Sequence, residues 1–124
     1  MIRMDHVHIH ASDAAKSIAF FEKYLDGKVV GEFESVGRKI TSMSIGSEGK
    51  VNILHIPPSV SEPDPDDAAI DHFAVQVDNI EELVGKLEAD GYKFRIALSD
   101  GAEGAKVAFV LGPDNVYIEL FQKS

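Results

Sequence analysis

Polar and apolar residues alternate with period two through His6-Val7-His8-Ile9-His10-Ala11, which predicts a strand with Val7, Ile9 and Ala11 on its dry face and three histidines on its wet face. The same phase returns in His72-Phe73-Ala74-Val75-Gln76-Val77, at an offset of 66 residues (72 − 6). After each strand the period changes to that of a helix. Ile18, Phe21 and Leu25 succeed the first, and Ile80, Leu83, Val84 and Leu87 succeed the second. Asp13 and Asp78 stand where helix N-caps are expected, and Asp78 with Glu81 has capping-box spacing. Gly27 and Gly91, each preceded by Asp, are expected to supply the left-handed residue that ends a helix.

Three strand-like runs complete each half, at 28–36, 38–46 and 50–56 and again at 92–98, 105–111 and 115–122. Residues 111–120 align without a gap on 45–54, at the same offset of 66 (119 − 53). The chain therefore reads β-α-β-β-β twice, an α+β fold with a helix packed on the dry face of each mixed sheet. The expected organisation is one domain, 1–124, with modules 1–56 and 70–124. The segment between them, 57–69, holds Pro57, Pro58, Pro63 and Pro65 among Glu62, Asp64, Asp66 and Asp67, and reads as a solvated linker because proline cannot continue a hydrogen-bonded ladder.

A formal charge of −9 argues against nucleic acid or anionic membranes as partners, since phosphate recognition needs clustered Lys and Arg. No apolar run is long enough to span a bilayer and no secretory pattern opens the chain, so a cytoplasmic location is the default expectation. The absence of cysteine removes disulfides, iron–sulfur clusters and thiolate-bound zinc, leaving His, carboxylate and water as ligands for any metal. Neither a phosphate-cradling glycine motif nor a dinucleotide fingerprint is present, which disfavours nicotinamide and ATP chemistry.

The run Asp5-His6-Val7-His8-Ile9, the helical Ile18-Ala19-Phe20-Phe21, the second-half Asp71-His72-Phe73-Ala74-Val75 and the closing Gly112-Pro113-Asp114-Asn115-Val116-Tyr117-Ile118-Glu119-Leu120 resemble the vicinal oxygen chelate superfamily. That superfamily includes glyoxalase I, extradiol dioxygenases, fosfomycin-resistance proteins and bleomycin-binding proteins. The resemblance covers essentially the whole chain. It implies sheets curled into a cup, a homodimer, and a divalent metal (Fe, Mn, Ni, Co or Zn) held by His6, His72 and Glu119. Each of the three lies on the polar parity of its strand, which supports the assignment from the pattern itself.

The activity implied by the resemblance is that of a glyoxalase-like lyase or isomerase whose small substrate binds the metal through adjacent oxygens. An Fe(II) extradiol-type dioxygenase and a metal-free binding protein of the bleomycin-resistance type are the alternatives. Glu119 and His8 are the expected proton-transfer groups; His10, His55, Gln76, Tyr117 and Phe121 are expected to line the substrate site. Arg38, Lys39 and Arg95 are candidate rim cations, and 99–105 a candidate lid. Glyoxalase I carries a further Glu or Gln ligand on the last strand of its first half, where the gapless repeat puts Ile53. Isoleucine cannot ligate, so a three-ligand site is expected, with His55, two residues on along the same strand face, brought toward the metal only by a small shift of register.

Overall fold

The computed structural model describes residues 6–35, 38–47, 49–55, 72–101 and 104–124. The chain divides into two compact units, Met1–Glu62 and Pro63–Ser124. The expected linker, 57–69, lies outside the described residues, as do Asp5 and Asp71.

The first unit contains β1 (Val7–Ala11), α1 (Ala14–Tyr24), β2 (Gly27–Ser35), β3 (Arg38–Ile45) and β4 (Gly49–His55). Its sheet runs β1-β4-β3-β2, with β1 parallel to β4 and the other pairs antiparallel. A parallel β1–β4 pair requires the chain to cross over, and α1 begins that crossover. Phe20, Phe21 and Tyr24 of α1 bury against the sheet face formed by Ala11, Met43, Val51 and Ile53, of which Met43 and Ile53 are fully inaccessible. Asp13 caps the helix, its carboxylate accepting the Lys16 N–H at 3.2 Å. At the other end Asp26, not Gly27, takes the left-handed conformation (φ 50°). Gly27 is required for a different reason: a Cβ there would lie 2.7 Å from the Phe21 carbonyl oxygen, so the chain turns from helix to strand too tightly for any side chain.

The second unit repeats the plan with β5 (Phe73–Gln76), α2 (Ile80–Ala89), β6 (Phe94–Asp100), β7 (Lys106–Leu111) and β8 (Tyr117–Gln122), in sheet order β5-β8-β7-β6. The α+β, twice-βαβββ reading is what the structure has. Ile80, Val84 and Leu87 form the buried stripe of α2, over Ala108, Val110, Ile118 and Leu120. Its N-cap is Asn79 rather than Asp78. Asn79 accepts the Glu82 N–H, while the Glu82 carboxylate accepts from the Asn79 amide, each at 3.2 Å. Asn79 stands 66 residues after Asp13, the same offset that separates the two histidine strands, so the repeat itself identifies the cap. Gln122 reaches from β8 to accept the Ile80 N–H at 2.7 Å, satisfying a second donor of the helix start and fixing α2 to its own sheet. Gly91 ends the helix as expected, at φ 86°.

The ladders extend β6 to Asp100, with Ser99 opposite Val107 and Asp100 opposite Lys106. Ser99 and Asp100 of the expected lid are thus strand residues, because backbone pairing with β7 continues past the small side chains.

Candidate functional site

The second unit brings His72 and Glu119 together. Glu119 pairs with Ala74 on β5 and with Phe109 on β7, and His72 stands just before β5 on the same parity as Ala74. His72 Nε2 lies 3.3 Å from Glu119 Oε2, with the two side chains 32% and 21% exposed. The imidazole also meets the Phe109 ring nearly edge-on, 4.8 Å between centroids, which restricts its orientation. Two donors bound to one transition ion at 2.0–2.2 Å sit roughly 3 Å apart when their angle is near tetrahedral or square. The observed separation suits that arrangement, so an imidazole and a carboxylate here fit a divalent ion. Among the described residues no three His, Asp or Glu side chains are gathered into one cation site.

Around this pair the β8 parity continues with Tyr117 on one side and Phe121 on the other, opposite Leu111 and Val107 respectively. Gln76 pairs with Phe121 and is exposed. The Arg95 guanidinium carbon sits 4.9 Å from the centre of the Tyr117 ring, a cation–π contact that holds a positive group on this face. Arg95 falls in a bulge between the pairs Phe94–Val110 and Ile96–Phe109, and that irregularity re-aims its side chain.

In the first unit His6, His8 and His10 form an exposed ladder, with successive ring centroids 6.4 Å apart. The His8 pKa is lowered, first by partial burial and then by the neighbouring His10 and His6, which disfavour a charged ring between them. His8 pairs with Asn52 and His10 with Leu54.

That register corrects the gapless repeat. In the second unit Ala74 opposes Glu119; in the first, its counterpart His8 opposes Asn52, not Ile53. The β3–β4 ladder agrees, with Ser42 opposite Asn52 where Phe109 opposes Glu119. The counterpart of Glu119 is therefore Asn52, and Ile53 is a core residue on the helix side. The extra residue lies between β6 and β7: Glu34 pairs with Lys39 across four intervening positions (35–38) and Asp100 with Lys106 across five (101–105), so the offset is 66 (100 − 34) before that connection and 67 (106 − 39) for the later strands. The parity of Lys50-Val51-Asn52-Ile53 already carries this signal, since its polar members are Lys50 and Asn52. Asn52 is buried, and its Oδ1 accepts the Ser42 hydroxyl at 2.8 Å.

His55 shares the parity of Ile53, so it lies on the helix side of β4, away from the histidine ladder. Its Nε2 meets Thr41 Oγ1 at 2.9 Å. Burial and then Lys39 lower its pKa, with Glu32 opposing them. Lys39 pairs loosely with Glu32 at 3.9 Å rather than standing alone at a rim. The Arg38 side chain lies outside the described residues, as do Ala102 and Glu103 of the expected lid.

The pattern of the Glyoxalase/Bleomycin resistance protein/Dioxygenase superfamily matches residues 3–120. The chain belongs to that superfamily. A lactoylglutathione lyase from Schizosaccharomyces pombe is 29% identical over 98% of this chain, and the chain spans only 45% of that enzyme's length. The trypanothione-dependent glyoxalase I of Leishmania major has the same fold, with a TM-score of 0.81 and 25% identity over 99% of this chain and 88% of its own. A glyoxalase family protein from Bacillus cereus gives a TM-score of 0.82 at 17% identity, covering 98% of this chain and 94% of its own. No helix among the described residues is long and apolar enough to cross a membrane.

Proposed function

We propose that this superfamily member is a metal-dependent enzyme of the lyase or isomerase type, acting on a small molecule with two adjacent oxygens. The 3.3 Å approach of His72 Nε2 to Glu119 Oε2 carries the reading, because it is the donor spacing a single ion uses. His6, the repeat counterpart of His72, is taken as the third donor. When bound, the ion would supply Lewis-acid stabilisation of negative charge developing on a substrate oxygen.

The remaining chemistry falls to the chain's own groups. Phe109 holds the His72 ring in place, so its donor atom faces the carboxylate without reorganisation. Tyr117 and Phe121 offer an apolar wall beside Glu119, and Arg95 over Tyr117 offers a cation to an anionic part of the substrate. His8, biased toward its neutral form, is suited to take up and return a proton near neutral pH. Asn52 is not counted among the donors to the ion: Ser42 already uses one of the two lone pairs of its carbonyl, and its N–H groups serve as donors to a substrate oxygen. The working unit is proposed to be a homodimer, in keeping with the superfamily to which the chain belongs.

The test pairs elemental analysis of gently purified protein with metal titration of the apo form. His72→Ala and Glu119→Gln should each weaken binding by more than the roughly 10–100-fold typical of losing a group outside the coordination sphere. Formation of lactoylglutathione, monitored by its thioester absorbance, is the first activity to assay. Metal affinity unchanged in both variants would overturn the enzyme reading; ligand binding that survives chelator would favour a metal-free binding protein instead.

A further inference from the structure

The histidine ladder of β1 has a use that the His72–Glu119 pair leaves open. We propose that His8 and His10 form a second, separate chelating site for a borderline divalent ion such as Cu2+, Ni2+ or Zn2+. Both residues lie inside the paired part of β1, with their backbone positions fixed opposite Asn52 and Leu54. Both side chains are exposed on one face, with ring centroids 6.4 Å apart. Alternate residues of a strand are about 6.6 Å apart along the chain. Two imidazole donors on one ion need to approach to roughly 3 Å, given metal–nitrogen distances of 2.0–2.1 Å. The two rings therefore have to turn their nitrogens toward one another, which side-chain rotation supplies while the strand stays in register.

Imidazole is a favoured donor for copper, nickel and zinc, and water can complete the sphere at an exposed site. The chain's charge of −9 attracts cations to it. His6 is left out because it precedes the strand and is the donor assigned to the functional site. An ion held here withdraws the His8 lone pair from proton transfer, so the two roles of that residue exclude each other at any moment.

The experiment titrates chelator-treated full-length protein with Cu2+ and reads both the affinity and the nitrogen hyperfine splitting by electron paramagnetic resonance. The His72→Ala/Glu119→Gln double variant should still bind one Cu2+ with two coupled imidazole nitrogens, and so should His6→Ala. His8→Ala and His10→Ala should each weaken that ion roughly tenfold or more, as expected when one arm of a chelate is lost, with unchanged far-UV circular dichroism. The inference is overturned if the double variant or His6→Ala loses the two-nitrogen signal, or if the His8 and His10 variants keep wild-type affinity. The proposed function fails on a different reading, metal retention by His72→Ala and Glu119→Gln at the functional site, so the two outcomes are separable.

Discussion

Ile53 and Asn52 are neighbours in sequence whose roles invert if β4 slips by one residue, so an acidic substitution at each tests the register directly. Ile53 is fully buried under α1, and Asn52 faces the other way, with its carbonyl held by Ser42. Ile53→Asp removes most of a core side chain, which costs about 2–5 kcal/mol. It also places a carboxylate among apolar groups, adding several kcal/mol more. Together these approach the whole stability of a small domain, about 5–15 kcal/mol. Asn52→Asp keeps the shape and still accepts the Ser42 hydroxyl, so its cost should stay near about 1–3 kcal/mol. Urea unfolding monitored by far-UV circular dichroism reads the difference. A gap of about 3 kcal/mol separates the midpoints by about 1 M or more at the slopes usual for small proteins. If Ile53→Asp unfolds at the same urea concentration as Asn52→Asp, or a higher one, the one-residue correction is wrong.

Two glycines should respond to alanine in opposite directions. Gly85 lies inside α2 with nothing within 4 Å of an added Cβ, so Gly85→Ala should raise stability by about 0.5–1 kcal/mol. Gly27→Ala drives a methyl group into the Phe21 carbonyl and should lower stability by about 1–3 kcal/mol, both read as shifts in the urea midpoint. His8 and His55 both have folded-state pKa values below the ordinary 6.5. The unfolded chain therefore binds protons more readily between the two values. Their contribution is complete above pH 6.5 and is lost as pH falls from there through the lowered pKa. Unfolding measured from about pH 7.5 to 5 should show that loss, and replacing both with Gln should flatten it; an unchanged slope would contradict the assignment.

The elements are legible because each is written in local residues. His6 to Ala11 alternates, α1 and α2 carry their apolar stripes, and Asp13 and Gly91 do what their chemistry suggests. What is illegible depends on counting across the connections between strands. One more residue separates the paired Asp100 and Lys106 than separates Glu34 and Lys39, so an offset valid for β1 and β5 fails by one at β4 and β8. A strand pattern tolerates no such error, because one residue exchanges its faces. The uncorrected offset thereby puts Ile53 at the ligand-equivalent position and His55 beside the histidine ladder, and the ladders remove both. Phe109 is hidden for a related reason: its meeting with His72 depends on the β7–β8 pairing and has no signature in the sequence around either residue. The corrected register gives the departure from the four-ligand pattern a chemical meaning. Where the second unit presents a carboxylate, the first presents an amide whose carbonyl accepts the Ser42 hydroxyl. Under the proposed function, the carboxylate donor therefore comes from the second module alone, and the equivalent amide of the first is left to hydrogen bonding.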